Sequence, residues 1–451
     1  MGKYAVIDPA TRTIVTAHTD ATAVEVEVAL SSAHETYNRW SRRTSIADRA
    51  KLVGRAAELL RERADEFAAI INREMGKPVT DGREEVLFSA DIMRTFAQRA
   101  EEWLSDEDIQ AEDGLRTVIR RQGIGVILGI MPWNYPVYQV ARFAAPNLIV
   151  GNTVIVKHAN QCPDSALALE TLFRDAGFPD GAYVNVFATH DHISTIIADD
   201  RVQGVSLTGS ERAGAIVAEQ AGRHLKKCVL ELGGSDPFIV LDTEDLDAAV
   251  RHAVWGRMKN SGQSCTGSKR FIIIDRHYEE FAGKFSQALS TQSRENGDYG
   301  PLASDDATST LVAQVQGAIE QGAELIVGDN APDGNFYRPG VLVNISPQMD
   351  VYSQELFGPV AQLYRVSSDE EAIELANSSP YGLGSVVICD DLDRAERVGE
   401  QLEVGMVYVN AAGLDGADVP FGGVKKSGFG RELGRLGIDE FTNKKIYRYG
   451  R

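Results

Sequence analysis

The feature that most constrains this chain is a series of short apolar segments that alternate with helical ones between residues 123 and 231. Gly125-Val126-Ile127-Leu128-Gly129-Ile130, Asn152-Thr153-Val154-Ile155-Val156-Lys157, Val184-Asn185-Val186-Phe187, Val202-Gln203-Gly204-Val205-Ser206-Leu207 and Cys228-Val229-Leu230-Glu231 read as strands. Helical spacing fills 164–176, 191–198 and 210–222 between them. Strands apolar on both faces and separated by helices predict a parallel sheet covered on both sides. Such a sheet binds its ligand at the carboxyl ends of its strands. A second alternation follows Gly233-Gly234, with strands near 237–241, 270–274, 323–327, 341–345, 360–365 and 384–388. The fold class is therefore α/β with two lobes.

The first hundred residues read as a short hairpin over 3–20 followed by helices. Thr22 caps the first helix and Ser45 the second, whose apolar spacing through Ala56, Leu59, Leu60, Phe67 and Ile70 runs on to Gly76 and Pro78. Another helix spans 82–103. The tail Lys445-Ile446-Tyr447-Arg448-Tyr449 reads as an edge strand with nothing after it to cover it, which invites a partner subunit.

A chain of 451 residues exceeds what one core serves. The net charge of −19 disfavours nucleic acid. No apolar run approaches the ~20 residues that cross a bilayer, and no basic-then-apolar leader opens the chain, so cytoplasmic residence is expected. Cysteines at 162, 228, 265 and 389 show neither CxxC pairing nor zinc spacing, so no metal is expected. His190-Asp191-His192 lacks further ligands and reads as a solvated loop.

Chemistry concentrates at Gly262-Gln263-Ser264-Cys265-Thr266-Gly267, a tight connection between a helix near 246–259 and the strand from Phe271. Cys265 is either a reactive thiol facing a cleft or a small buried hydrophobe. Glu231 ends an apolar strand, where burial would raise its pKa toward neutrality and make it a general base; an ion pair or a solvated strand end are the alternatives. Leu207-Thr208-Gly209-Ser210 opens a helix whose N-terminus suits a pyrophosphate. Gly123-Ile124-Gly125 and Gly428-Phe429-Gly430 do not open strand-to-helix turns and are discounted as dinucleotide fingerprints.

Pro132-Trp133-Asn134-Tyr135-Pro136, Lys157, Thr208-Gly209-Ser210, Glu231-Leu232-Gly233-Gly234, Gly262-Gln263-Ser264-Cys265, Glu355-Leu356-Phe357-Gly358-Pro359 and Pro420-Phe421-Gly422-Gly423 occur in one order. Together they resemble the aldehyde dehydrogenase superfamily over nearly the whole chain. The nearest likeness is to the short bacterial succinate-semialdehyde dehydrogenases. The resemblance implies a Rossmann-type cofactor domain from 1–104 and 124–232, a catalytic domain from 233–441, and oligomerisation strands at 105–123 and 442–451. It further implies a homodimer or homotetramer.

The resemblance also implies roles. Cys265 attacks the aldehyde, the Asn134 amide and the Cys265 N–H hold the oxyanion, and Glu231 activates water against the thioester, giving a free carboxylate. Trp133, Lys157, Asn160, Gly209, Ser210, Leu232, Glu355 and Phe357 would contact NAD or NADP. Asn160 stands where NAD-preferring relatives carry glutamate, so NADP is the expected preference, with Lys157 and Arg212 near the 2′-phosphate and NAD still usable. Arg142 matches an arginine that grips a substrate carboxylate, with a structural ion pair as the alternative. Asp415 falls where a carboxylate-binding serine is expected and would repel an anion. Phe143 replaces a lysine and cannot relay protons, so Glu432 has no expected catalytic role. Succinate semialdehyde, another small neutral or amino-bearing aldehyde, and a cysteine hydrolase or acyltransferase remain the readings to separate.

Overall fold

A computed structural model describes residues 3–450. Its six-stranded sheet has the order Gly428–Phe429, Lys227–Glu231, Val202–Thr208, Val126–Ile130, Thr153–Lys157, Tyr183–Asn185. The last five are parallel, and their helical crossovers bury both faces of the strands. The chain runs outward to Tyr183–Asn185 and then returns to the opposite side of Val126–Ile130. Its switch point thus lies between Val126–Ile130 and Val202–Thr208. Register sets Ile130 beside Lys157 and Leu207, and Thr208 beside Glu231.

The five parallel strands are those read from the sequence. Gly428–Phe429 is an addition, antiparallel to Lys227–Glu231 with Gly428 opposite Glu231. Two residues are too few to show a period. This explains why the Gly428-Phe429-Gly430 triplet is no fingerprint: it is an edge strand lent by the tail.

The second sheet runs Glu324–Val327, Gly340–Val343, Val360–Val366, Ser268–Ile274, Asp236–Asp242, Val386–Cys389, Tyr408–Val409. Gly340–Val343 ends earlier than the apolar run suggests because Asn344 takes a left-handed conformation, φ +59°. Asp236 pairs with Ser268 at the amino ends of their strands. Cys265, three residues before Ser268, therefore lies at the amino edge of this sheet. Gly233-Gly234 leads to that edge from Glu231 at the carboxyl edge of the first sheet, so the two chemical candidates meet where the sheets face each other.

Tyr4–Asp8 and Thr13–His18 form the opening hairpin. Thr22 caps Ala23–Arg39 with a full capping box, and Ser45 caps Ile46–Glu62. The single helix expected up to Gly76 is two, Ile46–Glu62 and Ala64–Met75, parted at Arg63, whose guanidinium pairs with Asp175 at 2.7 Å. Glu107–Ile109, Thr117–Gly123 and Thr442–Arg448 make a third sheet. Thr442–Arg448 has no strand on its outer edge among the described residues, and Ile446 there is 65% exposed. Among the described residues no helix is long and apolar enough to cross a membrane.

Candidate active site

The loop before Cys265 is strained. Asn260 and Ser261 both take left-handed conformations, φ +55° and +56°, which non-glycine residues adopt at a cost. Gly262 follows at φ +76°, and a Cβ on it would come within 2.4 Å of the Gly358 carbonyl. Side chains hold the distortion. Asn260 Nδ2 donates to the carbonyls of Gln263 and Asn134, each at 3.0 Å, and its own N–H donates to Asp81. Gln263 Oε1 accepts the Ala303 N–H at 2.8 Å.

This loop presents Cys265, part-buried, to a cavity of about 260 Å³. Phe88, Tyr135, Tyr138, Trp255, Tyr408 and Phe421 form most of its apolar wall. Burial pushes the thiol up to about 12, while the Arg142 and Lys269 charges pull it down. Glu231, Asn134 and Arg142 lie outside this wall.

Asn134 donates from Nδ2 to the Gln263 carbonyl at 3.2 Å, so its amide already rests against the nucleophile's loop. Glu231 is 2% exposed, and neither carboxylate oxygen has a hydrogen-bond partner among the described residues. Burial raises its pKa well above the usual range, opposed by Arg142. The solvated strand end considered for Glu231 is thereby excluded.

Arg142 differs from the substrate grip expected of it. Its helix Tyr138–Val150 is buried on nearly every side, and the guanidinium forms an ion pair with Glu432, donates to the Tyr138 hydroxyl at 3.2 Å, and stacks 4.2 Å from the Phe421 ring. A buried cation needs a partner, and the tail supplies one. Asp415 does reach the cavity. Tyr408 donates to it at 2.6 Å, and burial raises its pKa. Phe143 packs on the strand residue Gly129 as plain core.

The residues expected around a nicotinamide dinucleotide line the carboxyl edge of the first sheet and its approach to Cys265. Lys157 Nζ donates to Asn160 Oδ1 at 3.0 Å, and burial lowers its pKa to about 8. The Thr208 hydroxyl is buried without a partner among the described residues, which fits a polar ligand at that turn. Gly209 spends its N–H on the Glu231 carbonyl at 3.0 Å; Ser210 caps Glu211–Arg223, leaving the first N–H groups of that helix for a phosphate. Trp133 and Phe357 meet edge to face at 5.6 Å. Leu232 donates its N–H to Ser427. Glu355 accepts the Gly234 N–H at 3.1 Å, and a Cβ on Gly233 would lie 2.4 Å from its carboxylate. Arg212 is exposed at the start of its helix.

Several site residues escape sequence reasoning. Lys269 is fully buried and donates to the carbonyls of Ser264 and Cys265 at 2.7 and 2.9 Å, with Glu355 3.2 Å away. Asp236, raised to about 7 by burial, lines the cavity. Lys77 and Glu85 form a buried ion pair beside Asn134. The one sequence signal among these was the place of Lys77 between a glycine and a proline. The histidine pair at 190 and 192 belongs to a helix start, not a loop: the His192 N–H donates to the Thr189 hydroxyl and its ring returns to the Thr189 N–H. His277 lies near Asp242 at the far end of Ser268–Ile274, away from Cys265.

The model of the aldehyde dehydrogenase family matches residues 2–447. The chain is 49% identical to the Deinococcus radiodurans succinate-semialdehyde dehydrogenase [NADP(+)], covering 99% of this chain and 94% of that protein. Among solved structures it resembles Gox0499, with TM-score 0.96 and 44% identity over 99% of both chains. It also resembles the succinic semialdehyde dehydrogenase of Streptococcus pyogenes in complex with NADP+, with TM-score 0.95 and 38% identity over 98% of this chain and 99% of that one. The chain belongs to the aldehyde dehydrogenase family.

Proposed function

We propose that the protein oxidises succinate semialdehyde to succinate with NADP+ as the preferred cofactor. The observation that carries the chemistry is the Asn134 amide held 3.2 Å from the Gln263 carbonyl, two residues before a cavity-facing thiol. Cys265 as thiolate bonds to the aldehyde carbon, and the carbonyl oxygen becomes an oxyanion. The Asn134 N–H, exchanging Gln263 for that oxygen, and the Cys265 N–H stabilise it. Nicotinamide, when bound, supplies the acceptor for the hydride released as the adduct becomes a thioester. Glu231 in its carboxylate form takes a proton from water, the hydroxide adds to the thioester carbon, and the carbon–sulfur bond breaks to release the acid and the thiolate. A carboxylate buried without hydrogen bonds is well suited to accept that proton.

Cofactor preference is supported by the neutral amide of Asn160 beside Lys157, where a glutamate would repel a 2′-phosphate. The substrate reading is supported by likeness to the succinate-semialdehyde dehydrogenases of Deinococcus radiodurans and Streptococcus pyogenes. A second reading, a neutral or amino-bearing aldehyde, is favoured by Asp415 in the cavity and by the pairing of Arg142 with Glu432. We place the cofactor domain at 1–104 and 124–232, the catalytic domain at 233–441, and subunit docking at the sheet formed by 105–123 and 442–451, in a cytoplasmic homo-oligomer. The test is initial rates on a panel of succinate semialdehyde, neutral aldehydes and 4-aminobutanal with each cofactor. Greatest efficiency with succinate semialdehyde and NADP+ is expected. Greater efficiency with 4-aminobutanal transfers the assignment to the second reading, and no reduction of either cofactor overturns both.

A further inference from the structure

We propose that Lys77 and Glu85 are positioning residues for the oxyanion site, acting through the backbone of Asn134. This rests on the covalent role of Cys265 given above. Lys77 and Glu85 have side chains 0% and 1% exposed and form an ion pair. Lys77 Nζ donates to the Asn134 carbonyl at 2.8 Å and lies 3.6 Å over the Tyr135 ring. Glu85 Oε1 accepts the N–H groups of Val137 and Tyr138 at 3.0 and 3.1 Å, filling the first turn of Tyr138–Val150. From the other side, Asn260 Nδ2 donates to the same Asn134 carbonyl at 3.0 Å.

The Asn134 peptide is thus fixed by an ammonium from one segment and an amide from the nucleophile's own loop, while Glu85 fixes the peptides just after it. A peptide plane pinned at its carbonyl leaves its residue's Cα–Cβ direction little freedom. The side-chain amide keeps its aim when it exchanges Gln263 for an oxyanion. An ion pair is costly to bury, and this pair does its bonding to the one segment that must hold still. Neither residue reaches the reacting atoms through these contacts.

The test separates an oxyanion from a thiolate. Acylation by p-nitrophenyl acetate forms a sulfur–carbon bond at Cys265 as p-nitrophenolate leaves with the electrons of the ester bond. It needs an oxyanion site and no cofactor. Alkylation by iodoacetamide, which expels iodide, needs the thiolate and no oxyanion site. For Lys77→Met, and for the K77M/E85Q pair that leaves no buried charge behind, acylation should slow about 100-fold. Alkylation should stay within about twofold, since the thiolate step makes no demand on the oxyanion donors. K77Q, which retains a donor for the Asn134 carbonyl, should recover much of the acylation rate. A merely structural pair would slow both reactions equally or neither, and either result in K77M/E85Q overturns the proposal. Failure of Cys265 acylation in the unaltered enzyme would instead overturn the covalent mechanism.

Discussion

Arg142 and Glu432 form an ion pair in which the arginine side chain is 0% exposed and the glutamate 7%. The arginine lies on the helix Tyr138–Val150 that follows Asn134, and its partner lies 290 residues further along the chain. Removing the cation leaves Glu432 buried and unpaired, which costs about 3–5 kcal/mol. Arg142→Ala should therefore lower unfolding stability by that amount in denaturant titrations, whichever aldehyde the enzyme is given. An effect confined to the KM of an anionic substrate, with unchanged stability, would return Arg142 to the role of a substrate grip.

Asp415 is one of several carboxylates on the cavity wall, with Asp81, Glu84, Glu85 and Asp236, and like them it opposes an anionic substrate. Replacing it with serine removes a repulsion that at ~4 Å, between the dielectric of water and an effective value of ~20, is about 1–4 kcal/mol. Asp415→Ser should raise kcat/KM for succinate semialdehyde roughly tenfold and lower it for 4-aminobutanal. A rise for both substrates would show that Asp415 acts by size and not by charge.

The Cys265 thiol is pushed up to about 12 by burial in this structure. Below that value the thiolate fraction grows tenfold per pH unit. Alkylation of the cofactor-free protein by iodoacetamide should climb log-linearly from pH 7 to 10 without a plateau. A plateau setting in near pH 8 would mean that Arg142 and Lys269 outweigh desolvation.

Asn160 gives Lys157 a neutral neighbour. Asn160→Glu would set a carboxylate against a 2′-phosphate, and on the order of a 100-fold rise in the KM for NADP+ follows from repulsion of several kcal/mol. The KM for NAD+ should change little. Because burial holds Lys157 near a pKa of about 8, the unaltered enzyme should also bind NADP+ less tightly above that pH, as the cation is lost. Isothermal titration with both cofactors across that pH range checks each point.

The parallel sheet was legible because strands buried on both faces leave uninterrupted apolar runs, and so was the placing of Cys265 in a tight connection and of Glu231 at the end of a buried strand. What escaped shares a cause. Gly428–Phe429 and Tyr408–Val409 are too short to carry a period, and only tertiary pairing makes them strands. Lys77, Glu85 and Lys269 look like surface charges in sequence, and their burial depends on partners up to 86 residues away, as with Lys269 and Glu355. The role of Arg142 turned on Glu432, far along the chain, which no local reading could pair with it.

If Cys265 carries the acyl group and Glu231 releases it, removing the carboxylate should trap the thioester. The direct measurement is the intact mass of the Glu231→Gln protein after mixing with succinate semialdehyde and NADP+. One succinyl thioester per chain should accumulate on Cys265, with one equivalent of reduced cofactor and slow turnover thereafter. Steady turnover at the unaltered rate with no mass change would contradict a thioester on Cys265 released by Glu231.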